Sequence, residues 1–288
     1  MATINGRTTP PLVVRSTANG RLTLASLTPI TTTDQTAKTT VYFTPYKGNQ
    51  IGLYNGSVWS LINFAEVSVA VPGTTVTPFD IFAYDNAGTL ALETVNWTND
   101  TTRATALVLQ DGVLVKSGAT TRRYLGTGRT TGVSGQTEDS AANRFLWNYY
   151  NRVRRYLSVV DTTDSWTYTT ATWRQANGAA ANQVNFVLGV SEDAVEAQTR
   201  AIASNTLNYG LGTGVGADST TVNSAQTGGM SGLTTARTLF GSSYFGYLAA
   251  GYHYLAWLEY SIASGVTTWY GDVGEVYIQT GLTANIWG

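Results

Sequence analysis

The chain has 288 residues, 43% hydrophobic and 12% charged, with a net charge of −1; an average soluble domain carries roughly 25% charged residues. That balance excludes a strongly basic nucleic-acid binder and an acidic tail, and the absence of cysteine excludes disulfides and thiolate metal sites. The 47 Thr, 30 Gly, 17 Tyr and 8 Trp exclude coiled coil, collagen and disorder, and describe strands joined by tight turns.

Residues 1–40 are poor in aromatics and read as an extended N-terminal arm or attachment segment. Pro10-Pro11 excludes a helix there, and Asn19-Gly20 suits a tight turn between extended segments. The start, Met1-Ala2-Thr3-Ile4-Asn5-Gly6-Arg7, has no apolar stretch of a secretory signal, so synthesis in the cytoplasm is expected. Apolar runs such as residues 67–71 fall far short of the ~20 residues that span a bilayer.

A small β module is expected over 41–65, as a three-stranded meander. Its strands are Val41-Tyr42-Phe43-Thr44-Pro45-Tyr46, Ile51-Gly52-Leu53-Tyr54 and Val58-Trp59-Ser60-Leu61. Asn55-Gly56 predicts a two-residue hairpin turn with positive φ at both residues, and Trp59 is expected against Tyr42 or Tyr46. So small a module is barely stable alone, which favours a homo-oligomer, with a trimer ahead of a dimer.

Residues 66–288 read as one larger domain. Strands are expected at 67–71, at 79–84 and 89–92 around Asp85-Asn86-Ala87-Gly88, and at 107–109 and 113–115 around Asp111-Gly112. Further strands are expected at 124–128, 166–174, 184–190, 252–260, 267–269 and 275–279. Short strands without βαβ alternation predict a mainly β protein. Its architecture is a small meander followed by a β-sandwich or jelly-roll-like domain. One inserted α-helix is expected over 140–157, where Phe145, Leu146, Tyr149, Val153, Tyr156 and Leu157 form an apolar stripe behind Glu138 and Asp139. Residues 192–203 suit helix or strand; the alternation of Val195, Ala197, Thr199, Ala201 and Ala203 favours strand.

The chemistry-bearing residues give no catalytic signature. His253 is the sole histidine and no G-x-S-x-G elbow exists, so a buried, hydrogen-bonded histidine is expected rather than a hydrolase base or a zinc ligand. Carboxylate groups that suit glycoside cleavage occur at Glu138/Asp139, Asp161/Asp164, Glu192/Asp193/Glu196 and Asp272/Glu275. Each also reads as a turn, helix-start or solvated charge. Gly210-Leu211-Gly212-Thr213-Gly214-Val215-Gly216 lacks the G-K-[ST] of a phosphate loop and reads, with 217–232, as a long surface loop. Arg144, Arg152, Arg154 and Arg155 beside Trp147, Tyr149 and Tyr150 read as a solvated arginine face able to meet acidic groups of a neighbouring subunit, not as a nucleic-acid site. The triplets at Asn55, Asn96 and Asn99 carry no weight as glycosylation sites without a secretory signal. No cofactor, metal site, catalytic residue or membrane insertion is expected.

The string Gly52-Leu53-Tyr54-Asn55-Gly56-Ser57-Val58-Trp59-Ser60, behind residues 41–46, resembles a small β module widespread in tailed-bacteriophage fibre and virion proteins. Tyr84-Asp85-Asn86-Ala87-Gly88-Thr89-Leu90, Trp97-Thr98-Asn99-Asp100-Thr101-Thr102-Arg103, Arg123-Tyr124-Leu125-Gly126-Thr127 and the residues from Arg144 to Val153 also resemble phage modules. The resemblance implies a non-enzymatic virion structural protein with jelly-roll architecture. A tail fibre or spike that meets a host-surface glycan or protein is expected first, attached to other virion proteins through its N-terminal region. A capsid decoration or head fibre stands second, and a glycan depolymerase third.

Overall fold

The computed structural model describes residues 3–4, 7–8, 11–207, 210–226, 228–230 and 236–288. The protein is mainly β, as expected. Its principal layers are three sheets. In the first, strand Pro78–Asn86 lies between Thr89–Asn99 and Ala119–Arg129, and Val113–Lys116 and Leu107–Gln110 continue beyond the latter. In the second, Gly251–Ser261 is flanked by Leu211–Ala217 and Gln183–Leu188. The third runs Arg154–Val160, Gly281–Trp287, Val195–Asn205, Thr267–Tyr270, Ser165–Thr167, with Thr238–Gly246 on the other side of 195–205.

The second and third sheets pack face to face as a sandwich. Val184, Phe186, Val215, Leu255 and Trp257 from one meet Leu157, Ala197, Ala201, Trp269, Leu282 and Ala284 from the other. Strand 195–205 buries Val195, Ala197, Thr199, Ala201 and Ala203 while Glu196, Gln198 and Arg200 face out, so the period-two reading holds. A second core joins the first sheet to the N-terminal quarter of the chain. Leu22, Val41, Phe43, Ile51 and Phe64 pack with Phe79, Ile81, Leu90 and Leu125, so this packing crosses position 65/66.

The meander expected over 41–65 is rearranged. Thr40–Pro45 pairs with Gly20–Thr23 and Val67–Ala70, while Gln50–Tyr54 and Trp59–Asn63 form a separate hairpin. Part of the burial that favoured an oligomer is met within the chain: Phe43 stacks on Phe64 at 5.0 Å and covers Gly20, while Tyr42, Tyr54 and Trp59 stay half-buried. The turn also differs. Tyr54 pairs with Trp59, leaving a four-residue loop in which Gly56 alone of the two expected residues has positive φ. Asn55 Oδ1 accepts from the amides of Ser57 and Val58, a side-chain turn that replaces the tight backbone one. Trp59 rests on Tyr54 at 5.5 Å, not on Tyr42 or Tyr46. Hairpin turns with both central φ positive occur instead at Ala87-Gly88 and Asp111-Gly112, in the two hairpins expected there.

The helix expected over 140–157 is absent. That stretch holds Asn143–Arg144, Leu146–Asn148 and Arg154–Val160 as strands. Its apolar residues face two cores rather than one stripe: Leu146 enters one, Trp147 and Leu157 the other, and Tyr156 is 51% exposed. Asn148 exchanges hydrogen bonds with both backbone groups of Leu22, and Asn151 turns the chain at φ 54°. Two asparagines bonding to backbone outcompete helix formation here. The described α-helix is instead Pro11–Ser16, where Pro11 occupies the first turn and so lacks no intrahelical bond. Residues 1, 2, 5, 6, 9 and 10 of the expected arm lie outside the described residues.

Three further expectations are corrected. Residues 166–174 form two short strands, Ser165–Thr167 and Trp173–Gln175, held apart by a loop that Tyr168 closes through Thr172. Residues 275–279 are not a strand; a turn at Asp272–Glu275 leaves Val276 and Tyr277 exposed. The glycine run at 210–216 is no loop but the buried strand 211–217. Its glycines admit the segment that folds back over it. A Cβ at Gly214 would sit 2.4 Å from Asn223 Oδ1, and one at Gly216 would sit 2.0 Å from the Ser219 carbonyl oxygen. Residues 227, 231 and 232 of the expected loop lie outside the described residues.

Candidate functional site

The arginines singled out in the sequence are ion-paired with four of its acids, and most of the other acids are held by neutral donors. Asp139 accepts from Arg144 at 3.1 Å and from Arg155 at 2.6 Å, and Glu138 accepts from Ser140 and Asn143. Arg152 bridges Glu192 and Asp193, and Arg154 pairs with Glu196. These arginines are thus spent on acids of their own chain. Asp161 accepts from Asn177, Asn182 and the Thr163 amide; burial opposes its ionisation, but those donors hold the carboxyl below its ordinary value. Asp272 caps the turn at Gly274, close to Asp164. None of the four groups presents an unpaired carboxylate couple. Among the described residues no three His, Asp or Glu side chains are placed to share a cation.

His253 is buried, with Nδ1 2.8 Å from Asp218 Oδ2 and Nε2 2.8 Å from the Ala249 carbonyl oxygen. Both partners accept, so the site suits the imidazolium. Burial lowers the pKa, but the Asp218 hydrogen bond and charge, with the Ala249 carbonyl, raise it above its ordinary value. A raised folded-state value stabilises the fold fully below the unfolded value of about 6.5 and loses that contribution as pH rises through the folded value. The melting temperature is therefore expected to fall as pH rises above about 6.5 and through the raised folded-state value, less so in Asp218→Asn. With one histidine in the chain, the imidazole NMR resonance reports its midpoint directly; a midpoint below 6.5 would contradict the arrangement.

Glu259, which the sequence reading passed over, is the buried acid of strand 251–261. Burial drives its pKa up to about 7, against donors from Trp166, Arg174 and the Asn177 amide. The signal was a single acid in the apolar run Leu255-Ala256-Trp257-Leu258-Glu259. It is fully enclosed, and Trp166 packs edge-on against Trp257 beneath it, a structural rather than a substrate-facing setting.

The open site lies on the outer face of the third sheet. Register places Val160, Gly281, Arg200 and Gly241 in one row across four strands, beside the row Ser158, Thr283, Gln198 and Ser243. With no side chain at Gly281, the sheet has a trough of about 300 Å³ at Arg200, bordered by Tyr156, Ser158, Gln198, Gln279 and Thr283. Among the arginines whose side chains are described, Arg200 is alone in having no carboxylate, carbonyl or aromatic partner. The trough offers a free guanidinium, amides, hydroxyls and one exposed phenol ring. That set hydrogen-bonds and stacks, and it holds no paired acid and base. Sequence reasoning missed it because the alternation showed only that Gln198 and Arg200 face outward; which residues flank them is set by pairing with residues 241, 243, 281 and 283, far away in sequence.

No family model matches the chain, and no curated protein matches it. Solved structures give faint likenesses. An insecticidal delta-endotoxin, Cry8Ea1 from Bacillus thuringiensis, aligns at TM-score 0.28 and 8% identity over 94% of this chain and 52% of its own. An Arthrobacter globiformis isomalto-dextranase complexed with panose aligns at TM-score 0.22 and 13% identity, over 86% and 36%. Infectious bursal disease virus aligns at TM-score 0.21 and 8% identity, over 90% and 76%. This chain spans about half the toxin and about a third of the dextranase. Likenesses this weak lend no function to the chain.

Proposed function

We propose that this protein is a non-enzymatic structural component of a phage virion, of the fibre or spike kind, that attaches to a host-surface glycan through the Arg200 trough. The observation that carries the reading is the unpartnered Arg200 in an open, hydroxyl- and amide-lined trough, in a chain whose candidate catalytic acids are tied up in ion pairs and turns. The resemblance of residues 52–60 and 84–103 to phage modules supports the virion setting. The assembly proposed is a homotrimer attached to other virion proteins through the N-terminal region. Exposed Phe245, Tyr247, Val276 and Tyr277 support association with other copies.

The experiment is competition for adsorption. Purified protein is expected to block phage adsorption to host cells, and Arg200→Ala to lose most of that block while melting at the wild-type temperature, since the side chain holds nothing in the fold. Failure of the wild-type protein to block would overturn the attachment role; full blocking by Arg200→Ala would overturn the site.

A further inference from the structure

Arg123 lies at the centre of strand 119–129 and is 1% exposed, yet it has no carboxylate partner among the described residues. Its Nε donates to the Tyr150 hydroxyl at 3.1 Å, and Nη1 donates to the carbonyl oxygens of Thr17 and Gly52 at 2.9 and 2.6 Å. Nη2 is buried and donates to nothing. A buried guanidinium without an anion carries an uncompensated desolvation cost, and an unpaired donor adds to it. Most other buried or half-buried arginines of this protein are given an acid: Asp80 for Arg103, Asp100 for Arg129, Asp139 for Arg155.

Arg123 lines a pocket of about 400 Å³ with Arg15, Asp111, Val113, Tyr149 and Tyr150. Arg15 also lines an adjoining hollow with Trp59. The acid at this mouth is already engaged: Asp111 accepts from Trp59 Nε1 at 2.9 Å and Gln110 Nε2 at 3.0 Å, and lies 4.0 Å from Arg15. Two guanidinium groups therefore face one carboxylate, and the positive charge left over is the buried one. The aromatic walls are rigid: Tyr149 and Tyr150 meet edge-on at 4.8 Å, and the Tyr150 ring lies 4.6 Å from the Arg123 guanidinium.

The geometry points to a second binding site in which Arg123 receives the carboxylate of an acidic pyranose, a uronic-acid unit, whose ring lies against Tyr149 and Tyr150. A carboxylate supplies the missing anion and accepts from Nη2, and a charge-assisted bond of this kind is among the strong ones. Apolar ring faces of a sugar pack on tyrosine, whose hydroxyl end stays polar. A neutral hexose leaves Arg123 as it was, and a bare anion gains nothing from the aromatic walls.

The test uses saturation-transfer NMR and titration with glucuronate, glucose and inorganic phosphate. It is run on Arg200→Ala protein, so that the trough of the proposed attachment site contributes nothing. Glucuronate is expected to bind with magnetisation transfer to its ring protons, and glucose to bind at least about tenfold more weakly, the worth of one charged hydrogen bond. Tyr149→Ala, which leaves Arg123 and its backbone contacts in place, is expected to weaken glucuronate without abolishing the fold. Equal binding of glucose and glucuronate, binding of phosphate without glucuronate, or no binding at all each overturns the site. Because the Arg200 side chain is absent throughout, none of these outcomes bears on the attachment trough.

Discussion

Replacing Asp80 by alanine is expected to lower the unfolding free energy by about 3–5 kcal/mol, the cost of leaving a buried charge without its partner. Asp80 is 2% exposed on the central strand 78–86, and it accepts from Arg103 Nε at 2.7 Å and from the Thr127 hydroxyl at 2.7 Å. Arg103 in turn lies 4.3 Å from the Trp97 ring and donates to the Gly189 carbonyl, just past strand 183–188. The ion pair therefore ties the first sheet to the second. Without the carboxylate, Arg103 keeps the carbonyl and the ring but loses its counter-charge. Asp80→Asn, which still accepts from Thr127, is expected to lose less. Urea denaturation monitored by tryptophan fluorescence measures both; a loss below about 1 kcal/mol for the alanine variant would mean the pair is not coupled to global unfolding.

A comparable loss of about 3–5 kcal/mol is expected for Trp147→Ala. The ring is 1% exposed, its Nε1 donates to the Trp287 carbonyl at 2.7 Å, and it packs where a Cβ on Gly189 would lie 2.5 Å away. Tyr156→Ala, by contrast, removes a ring that is half in solvent and is expected to change stability by less than about 0.5 kcal/mol. A helix over 140–157 would reverse this order, since Tyr156 belongs to its apolar stripe and Trp147 does not. The two melting curves, compared side by side, test the strand assignment as well as the packing.

That contrast shows how far the sequence was legible. Where one face of a strand meets a core and the other meets water, the pattern identifies the strand, as Val195 to Ala203 does. Turns with their own chemistry, Ala87-Gly88 and Asp111-Gly112, were equally plain. Residues 145–148 are enclosed on both sides, so alternation vanishes, and i, i+4 spacing arises by accident. Pairing partners were less legible still: nothing local says that Thr40–Pro45 prefers Gly20–Thr23 over the adjacent hairpin. The Arg200 trough depends on such pairing, because only the pairing of strand 281–287 brings Gly281 beside the arginine. The Arg123 pocket is similar, joining residues 15, 59, 111, 123 and 150.

Strand 281–287 lies between strands 154–160 and 195–205, pairing along its whole length with the first and through residues 281–285 with residues 196–200 of the second. During synthesis those two strands therefore leave the ribosome long before the strand that joins them. At the ~5–20 residues per second of translation, the nascent chain spends several seconds with two open sheet edges flanking the vacant position. Arg21 waits longer still, since its Nη2 donates to the Gly288 carbonyl oxygen at 2.6 Å. Open edges invite pairing with a neighbouring chain. Copies translated close together on one message thus have a window in which strand 281–287 of one can enter the gap of another.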